Sequence, residues 1–249
     1  SGSGSGSGYG LGTSASTSIG LPVTTYKGHQ GQVLDIAWKK TKTPVFASCG
    51  RDKAIKIWDL RENKEVHTVA KAHDGPINSL SFNPLGDYLL ATCSDDKTVA
   101  LWDTRNLDGR LYSLDHRKPV TCVEWSPEHE MILASGGQDR RIHVWDIDKV
   151  LSNSGSGGVG KSMGNGKGMG MMAHPPTPTS SNDPRGGAQE QQGPPELKFI
   201  HGGHTGTVRD MGFCPMDGDG WMMGSIANDS SVHIWRPSFA KPKNRKRKL

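Results

Sequence analysis

The 249-residue sequence predicts an all-β protein assembled from four copies of one antiparallel unit. Three observations predict it. A His-to-Trp segment recurs four times, each copy ends on a strand that alternates with period two, and turn residues precede that strand at the same place every time.

The first copy runs from Gly28-His29 to Trp58-Asp59 and the second from Ala72-His73 to Trp102-Asp103. The third runs from Asp115-His116 to Trp145-Asp146 and the fourth from Gly203-His204 to Trp235-Arg236. The His-to-Trp separation is 29, 29, 29 and 31 residues, with the extra two falling near the loop MDGDGW. Nine residues after each His stands an aromatic, Trp38, Phe82, Trp125 or Phe213, at the end of a short β-prone run such as VLDIAW. Two residues further stands Pro84, Pro127 or Pro215, with Lys40 in the first copy. Six residues before each Trp is an Asp (Asp52, Asp96, Asp139, Asp229), and four before that a hydroxyl residue (Ser48, Thr92, Ser135, Ser225). GRDK, SDDK, GQDR and ANDS supply the turns. In the strands that follow, Ile55/Ile57, Val99/Leu101, Ile142/Val144 and Val232/Ile234 take one face and the Trp the other.

Outside the copies the chain changes character. Residues 1–22 are Gly/Ser-rich with few apolar residues to bury, and read as a flexible segment. Residues 23–150 hold the first three copies, and 196–236 an outer strand plus the fourth. Between them, 151–195 is Gly-, Ser-, Pro- and Met-rich without periodicity, a disordered loop in which Met163, Met169, Met171 and Met172 offer an adaptable patch. Residues 237–249 form a basic tail. The net charge of +5 belongs to that tail: without its last nine residues the chain has 24 basic against 25 acidic residues. There is no charged-then-apolar start, and no apolar run nears the roughly 20 residues that cross a bilayer. No membrane partner is therefore expected. Cys49, Cys93, Cys122 and Cys214 lie singly in strand-like segments, which argues against zinc and against a disulfide framework.

His, Ser and Asp together suggest nucleophilic catalysis, but an enzyme needs one such set and this chain repeats it at constant spacing. A structural role explains the repetition, so no catalytic residue, metal, cofactor or small-molecule substrate is expected. Units with a Gly-His start and a Trp-Asp end resemble the WD repeat of β-propellers, over about 28–150 and 196–236. The resemblance implies a hydrogen-bonded tetrad in each blade: His29, Ser48, Asp52 and Trp58; His73, Thr92, Asp96 and Trp102; His116, Ser135, Asp139 and Trp145; His204, Ser225, Asp229 and Trp235. It also implies that the stretch before each His is the outer strand of the preceding blade. EVHTVAK, GRLYSLD and ELKFI then complete the first three blades, PVTTYKG belongs to a blade upstream, and no apolar strand follows Trp235. The expectation is about three and a half four-stranded blades of a seven-bladed ring. A closed four-bladed ring is the alternative.

Three stretches narrow the resemblance: 81–107, 136–150 and GPPELKFIHGGHT at 193–205. They are similar to the retinoblastoma-binding histone chaperones, the small WD subunits of chromatin assembly and modifying complexes. That resemblance implies core histones and chromatin-complex subunits as partners. It implies a side site in which Asp183, Glu190, Pro194, Pro195, Glu196, Leu197 and Phe199 receive a basic histone helix, and a top-face site that includes Asn78. The sequence departs from the family in Gln189, Gln191 and Gln192 of the loop, and in Leu34, Pro119, Thr121 and Arg209 on the top face.

Two rival readings stand beside this one. WDLR and WDTR resemble the WDxR box of cullin–RING substrate receptors, in which Asp59, Arg61, Asp103 and Arg105 would meet the ligase adaptor. Segments 45–59, 68–75 and 119–125 resemble a ribosome-assembly chaperone of the glutamate-rich WD type. Lys243, Arg245, Lys246, Arg247 and Lys248 fit a nuclear import signal, and equally a nonspecific phosphate contact with nucleic acid. The combined expectation is a nuclear, non-enzymatic scaffold.

Overall fold

The computed structural model describes residues 24–40, 44–62, 64–153, 194–215 and 218–239. Each His-to-Trp segment folds as a three-stranded antiparallel meander, and each of the first three gains a fourth strand from the sequence that follows it. The first sheet is β1 (Val33–Trp38), β2 (Val45–Gly50), β3 (Ile55–Asp59) and β4 (Lys64–Val69). The second is β5 (Ile77–Phe82), β6 (Leu89–Ser94), β7 (Thr98–Asp103) and β8 (Tyr112–Asp115). The third is β9 (Val120–Trp125), β10 (Ile132–Gly137), β11 (Ile142–Asp146) and β12 (Leu197–His201). The fourth holds β13 (Val208–Phe213), β14 (Met223–Ala227) and β15 (Val232–Trp235). Among the described residues no helix is long and apolar enough to cross a membrane.

The turn chemistry read in the sequence has a common backbone basis. Lys53, Lys97, Arg140 and Ser230, the residue after each repeat Asp, all adopt positive φ, between 60° and 74°. Each Asp supports its turn by accepting from the backbone N–H two residues on, at Ala54, Thr98, Arg141 and Ser231. A second regularity lies in the inner strands. Their register to the next strand shifts between Val33 and Asp35, Ile77 and Ser79, Val120 and Cys122, and Val208 and Asp210. Leu34, Asn78, Thr121 and Arg209 are therefore bulged at one equivalent place in all four sheets. A bulge re-aims a side chain. Asn78 Nδ2 donates to Val120 O at 2.7 Å, and Thr121 Oγ1 to Val208 O at 2.6 Å, so each ties its sheet to the next.

The sheets pack in sequence order, face to face. Ala47, Cys49 and Ile55 of the first meet Ile77, Leu80 and Phe82 of the second. Cys93, Val99 and Leu101 meet Val120, Val123 and Trp125, while Ala134, Ile142 and Val144 meet Val208, Met211 and Phe213. These are the apolar positions of the period-two pattern, and Cys49, Cys93 and Cys122 are buried among them as free thiols. Burial pushes the Cys122 thiol up to about 12. Among the described residues the first and fourth sheets share no comparable interface, so the four sheets form an open arc and not a four-bladed ring.

Two sequence expectations change. PVTTYKG was expected as a strand, yet its described residues, 24–28, lie outside any strand. The Tyr26 ring instead sits edge-on to Phe46 at 5.3 Å and Trp58 at 5.2 Å. The disordered loop was expected from 151, yet helix α1 spans Ile147–Asn153. Buried Ile147 and Val150, one helical turn apart, seat it on the core between the second and third sheets.

Candidate functional site

The repeat His, hydroxyl, Asp and Trp come together in every blade. The Trp indole N–H donates to the hydroxyl oxygen at 2.8, 2.9, 2.7 and 3.2 Å in blades one to four. The same hydroxyl lies 2.7, 2.8, 2.7 and 2.9 Å from the His Nε2. The His Nδ1 reaches Asp Oδ2 at 2.8 Å in the first two blades and 3.0 Å in the fourth. Each of those three carboxylates also accepts a backbone N–H from the residue after the His. Burial raises the Asp96 pKa, but hydrogen bonds from His73, Thr98 and the Asp74 backbone outweigh it and hold the carboxyl well below its usual range. A carboxylate so satisfied is a structural brace and not a poised base.

The third blade departs from this. His116 Nδ1 stands 3.8 Å from Asp139 Oδ2, beyond hydrogen-bonding distance, although its bonded contact to Ser135 is kept. His143 brings its Nε2 to 3.7 Å from the same oxygen and stacks on His116 with centroids 4.1 Å apart. His116 Nδ1, Asp139 Oδ2 and His143 Nδ1 are buried without a hydrogen-bond partner among the described residues. The tetrad expected at His116, Ser135, Asp139 and Trp145 thus lacks its His–Asp bond. The three residues form one of two groups of potential metal ligands, the other being His201, His204 and His233. Stacked rings 4.1 Å apart and tilted by only 19° hold their lone pairs in separate, nearly parallel planes, a poor arrangement for one ion, and the second group is bonded internally through His201 and His233 at 3.1 Å.

Of the residues expected at a histone side site, Pro194, Leu197 and Phe199 line one cavity of about 450 Å³ against the third blade. Pro194 and Pro195 are exposed, and the turn they form is closed by Leu197 N–H donating to Pro194 O at 2.8 Å. Glu196 is half-buried and its carbonyl accepts from Asp146 N–H. Phe199 stacks on Trp235 of the fourth blade. Asp183 and Glu190 lie outside the described residues. The rest of the cavity wall includes Asp115, Asp139, Arg117, Arg141 and Lys198. The described wall therefore carries three cations against two acids. Arg117 and Arg141 were missed because they sit in the generic repeat signature, which conceals what a residue faces across the blade.

Asn78 is not grouped with these residues. It is on the bulge of β5, donating to Asp95 Oδ1 at 2.8 Å as well as to Val120 O. Asp59 and Arg61 form a local fork, with the guanidinium Nη2 donating to Asp59 Oδ2 at 2.5 Å, and Asp103 and Arg105 repeat it at 2.6 Å. The Arg61 side chain holds the Asp59 carboxyl down to about 2. This pairing explains the Asp-x-Arg spacing without a ligase adaptor. The import residues Lys243 to Lys248 lie outside the described residues.

Comparison with known proteins agrees with this architecture. The WD domain, G-beta repeat family matches residues 20–59, 63–103 and 109–146. The chain is 50% identical over 221 residues to histone acetyltransferase type B subunit 2 of Mycosarcoma maydis, an alignment covering 88% of this chain and 43% of that relative. It is 48% identical over 50 residues to the RbAp48-related WD40 repeat-containing protein prw1 of Schizosaccharomyces pombe, covering 20% of this chain and 11% of that protein. It is 44% identical over 48 residues to histone acetyltransferase type B subunit 2 of the same yeast, covering 19% and 11%. The chain spans less than half the length of each of these relatives.

Proposed function

This chain belongs to the WD-repeat family, and from that premise we propose that it is a non-catalytic scaffold that holds histones for chromatin-modifying assemblies in the nucleus. The observation that carries the reading is the 50% identity, across 88% of the chain, to a protein named as a histone acetyltransferase subunit. The geometry is compatible with it. Strand β12 carries Leu197 to Phe199 on the third sheet with the Pro194–Glu196 turn just before it, and a β scaffold presenting loops is a binding platform. The tetrads that resemble catalytic sets are spent on bracing. In this reading the exposed Pro194–Pro195 turn and the adjoining cavity receive an apolar helix face, while Glu196, with Asp183 and Glu190, meets its basic residues.

The test is retention of purified core histones by the 249-residue chain at moderate salt. Deleting 241–249 removes bare charge attraction, and retention is expected to survive it. Replacing Pro195→Arg and Glu196→Arg together places two cations on the turn, one at an exposed and one at a half-buried position. It is expected to weaken binding roughly tenfold or more, about 1.4 kcal/mol. Histone retention that disappears with the tail, or that ignores the double substitution, overturns the site.

A further inference from the structure

The rim of the third blade differs from the other three at two neighbouring loops. The loop after the repeat His reads Gln30-Gly31, Asp74-Gly75, Arg117-Lys118 and Thr205-Gly206 in blades one to four. The turn after the repeat Asp reads Lys53-Ala54, Lys97-Thr98, Arg140-Arg141 and Ser230-Ser231. At these positions the third blade holds four cations, where the first and second hold one each and the fourth none. Arg117, Lys118, Arg140 and Arg141 are all exposed, and among the described residues none of them has an ion pair. Arg61, Arg105, Arg110 and Arg236, by contrast, each meet an aspartate.

Lys118, standing where the other blades have glycine, is what parts the two loops. A Cβ on Gly31, Gly75 or Gly206 would lie 3.0, 2.8 or 2.7 Å from the backbone nitrogen of the repeat Asp in its own blade. Glycine lets the loop approach that closely. The residue before it then donates its N–H to the carboxylate, at 2.9, 3.0 and 2.8 Å. Lys118 carries a Cβ, and in its blade Arg117 N–H makes no such bond among the described residues. His116 Nδ1 has drawn off to 3.8 Å from Asp139. The parting is local. Gln138 N–H still donates to Pro119 O at 2.9 Å, as its counterparts do in the other blades, and Arg140 keeps the positive φ of its turn. Between the loops lies a cleft of about 270 Å³, lined by Arg117, Lys118, Gln138, Asp139, Arg140 and Arg141. Asp139 Oδ2 is a buried acceptor there with no donor among the described residues.

We propose that this cleft docks an acidic peptide segment of a partner protein, with Arg117, Lys118, Arg140 and Arg141 pairing its carboxylates. The lining carries four cations against one acid, and that acid, Asp139, has a side chain only 7% exposed. Three of the four cations are arginines, whose planar forks match carboxylates in pairs. A single exposed ion pair contributes little, so the occupant is a segment that engages several cations together. Two observations favour a peptide over a nucleic acid. The cationic patch is confined to one blade: the neighbouring second blade presents exposed Asp74 and Asp95 at its rim, and the two loops of the fourth carry no cation. A nucleic-acid backbone is followed by a continuous cationic track. The donorless Asp139 Oδ2 also suits a ligand with N–H groups beside its negative charge, whereas a phosphodiester backbone offers acceptors only. The cleft repels basic histones, so its occupant is a second partner, and the proposal is independent of the histone reading.

Fluorescence anisotropy of a labelled hexaglutamate peptide, titrated with the full 249-residue chain at low salt, tests it. Lys118→Ala with Arg140→Ser removes two of the four cations and leaves Arg117 and Arg141, which also line the cavity beside Pro194. Serine already occupies the positive-φ position of this turn in the fourth blade, so the turn is preserved. The double substitution is expected to weaken peptide binding roughly fivefold or more, and to leave retention of core histones unchanged. Lys97→Ser, at the equivalent turn of the second blade, is expected to leave the peptide's Kd unaltered. Lys118→Gly is expected to weaken binding more than Lys118→Ala, because it removes the Cβ as well as the charge and lets the loop close on Asp139. The peptide is expected to slow amide exchange at 116–118 and 138–141. Binding indifferent to the double substitution, or slowed exchange confined to the basic tail, overturns the proposal. An oligothymidine of equal charge that binds more tightly than the peptide, and loses that affinity to the same substitution, overturns it in favour of nucleic acid. Equal losses for Lys118→Gly and Lys118→Ala overturn the part given to the Cβ.

Discussion

At the residue scale, the repeat tetrads are not equal. Asp96 braces its blade through His73, Thr98 and the Asp74 backbone, whereas Asp139 stands 3.8 Å from His116. Breaking a buried, satisfied polar network costs about 1–3 kcal/mol per orphaned group. Asp96→Ala is therefore expected to lower the urea-unfolding free energy by about 2–3 kcal/mol, and Asp139→Ala by less than half as much. Equal losses would show that the third blade relies on its carboxylate as the others do. The signature that names all four Asp residues is visible in the sequence. The weak third member is not, because the fourth blade also stacks a His from the same position, His233, on its repeat His204 and yet keeps the His–Asp bond at 3.0 Å.

Helix α1 is a lesson at the element scale. Its last residues belong to a stretch whose composition reads as loop, and it is short for a helix that must stand alone. Tertiary burial supplies what propensity does not: Ile147 is fully buried and Val150 nearly so, both in the core cluster of the second and third blades. Ile147→Ala is expected to cost about 2–5 kcal/mol in thermal or urea unfolding, the range for an emptied core position. A loss below about 1 kcal/mol would mean that the helix is incidental to that core. The strands show the opposite relation. Their period-two pattern, turn residues and bounding prolines agree with one another, so local preference and global fold give the same answer.

For the molecule as a whole, blade-to-blade packing governs the response to pH. Glu124 on β9 is pushed up to about 7, first by burial and then by repulsion from Asp210 on β13, against a hydrogen bond from the Phe213 backbone. A carboxyl whose folded pKa is raised holds its proton more tightly in the native state. Its contribution to stability is fully present below about 4.5 and is lost as pH rises toward 7. The tetrad carboxylates, with lowered pKa values, act in the other direction and weaken the fold only in acid. Glu124→Gln keeps an acceptor for Phe213 but removes the charge. Relative to wild type it is expected to gain stability steadily between pH 4.5 and 7, on the order of 2–3 kcal/mol in total. Parallel pH profiles of the two proteins would show that the junction of the third and fourth blades does not hold this charge.

By itself the sequence determined the repeat, and with it the strands, the turns, the tetrad members and the apolar faces, because each follows from spacing along one short segment. It also marked Pro194 to Phe199 as a distinctive stretch outside the generic repeat signature. Tertiary structure alone decided which residues meet across blades: the wall of Arg117, Arg141 and Lys198 beside Pro194, the stacking of His143 on His116, and the bulged donors that staple one sheet to the next. The physical reason is that a repeat pattern records only the position of a residue within its own blade. What that residue touches depends on the curvature and order in which blades stack, and those are set by packing between segments far apart in the chain.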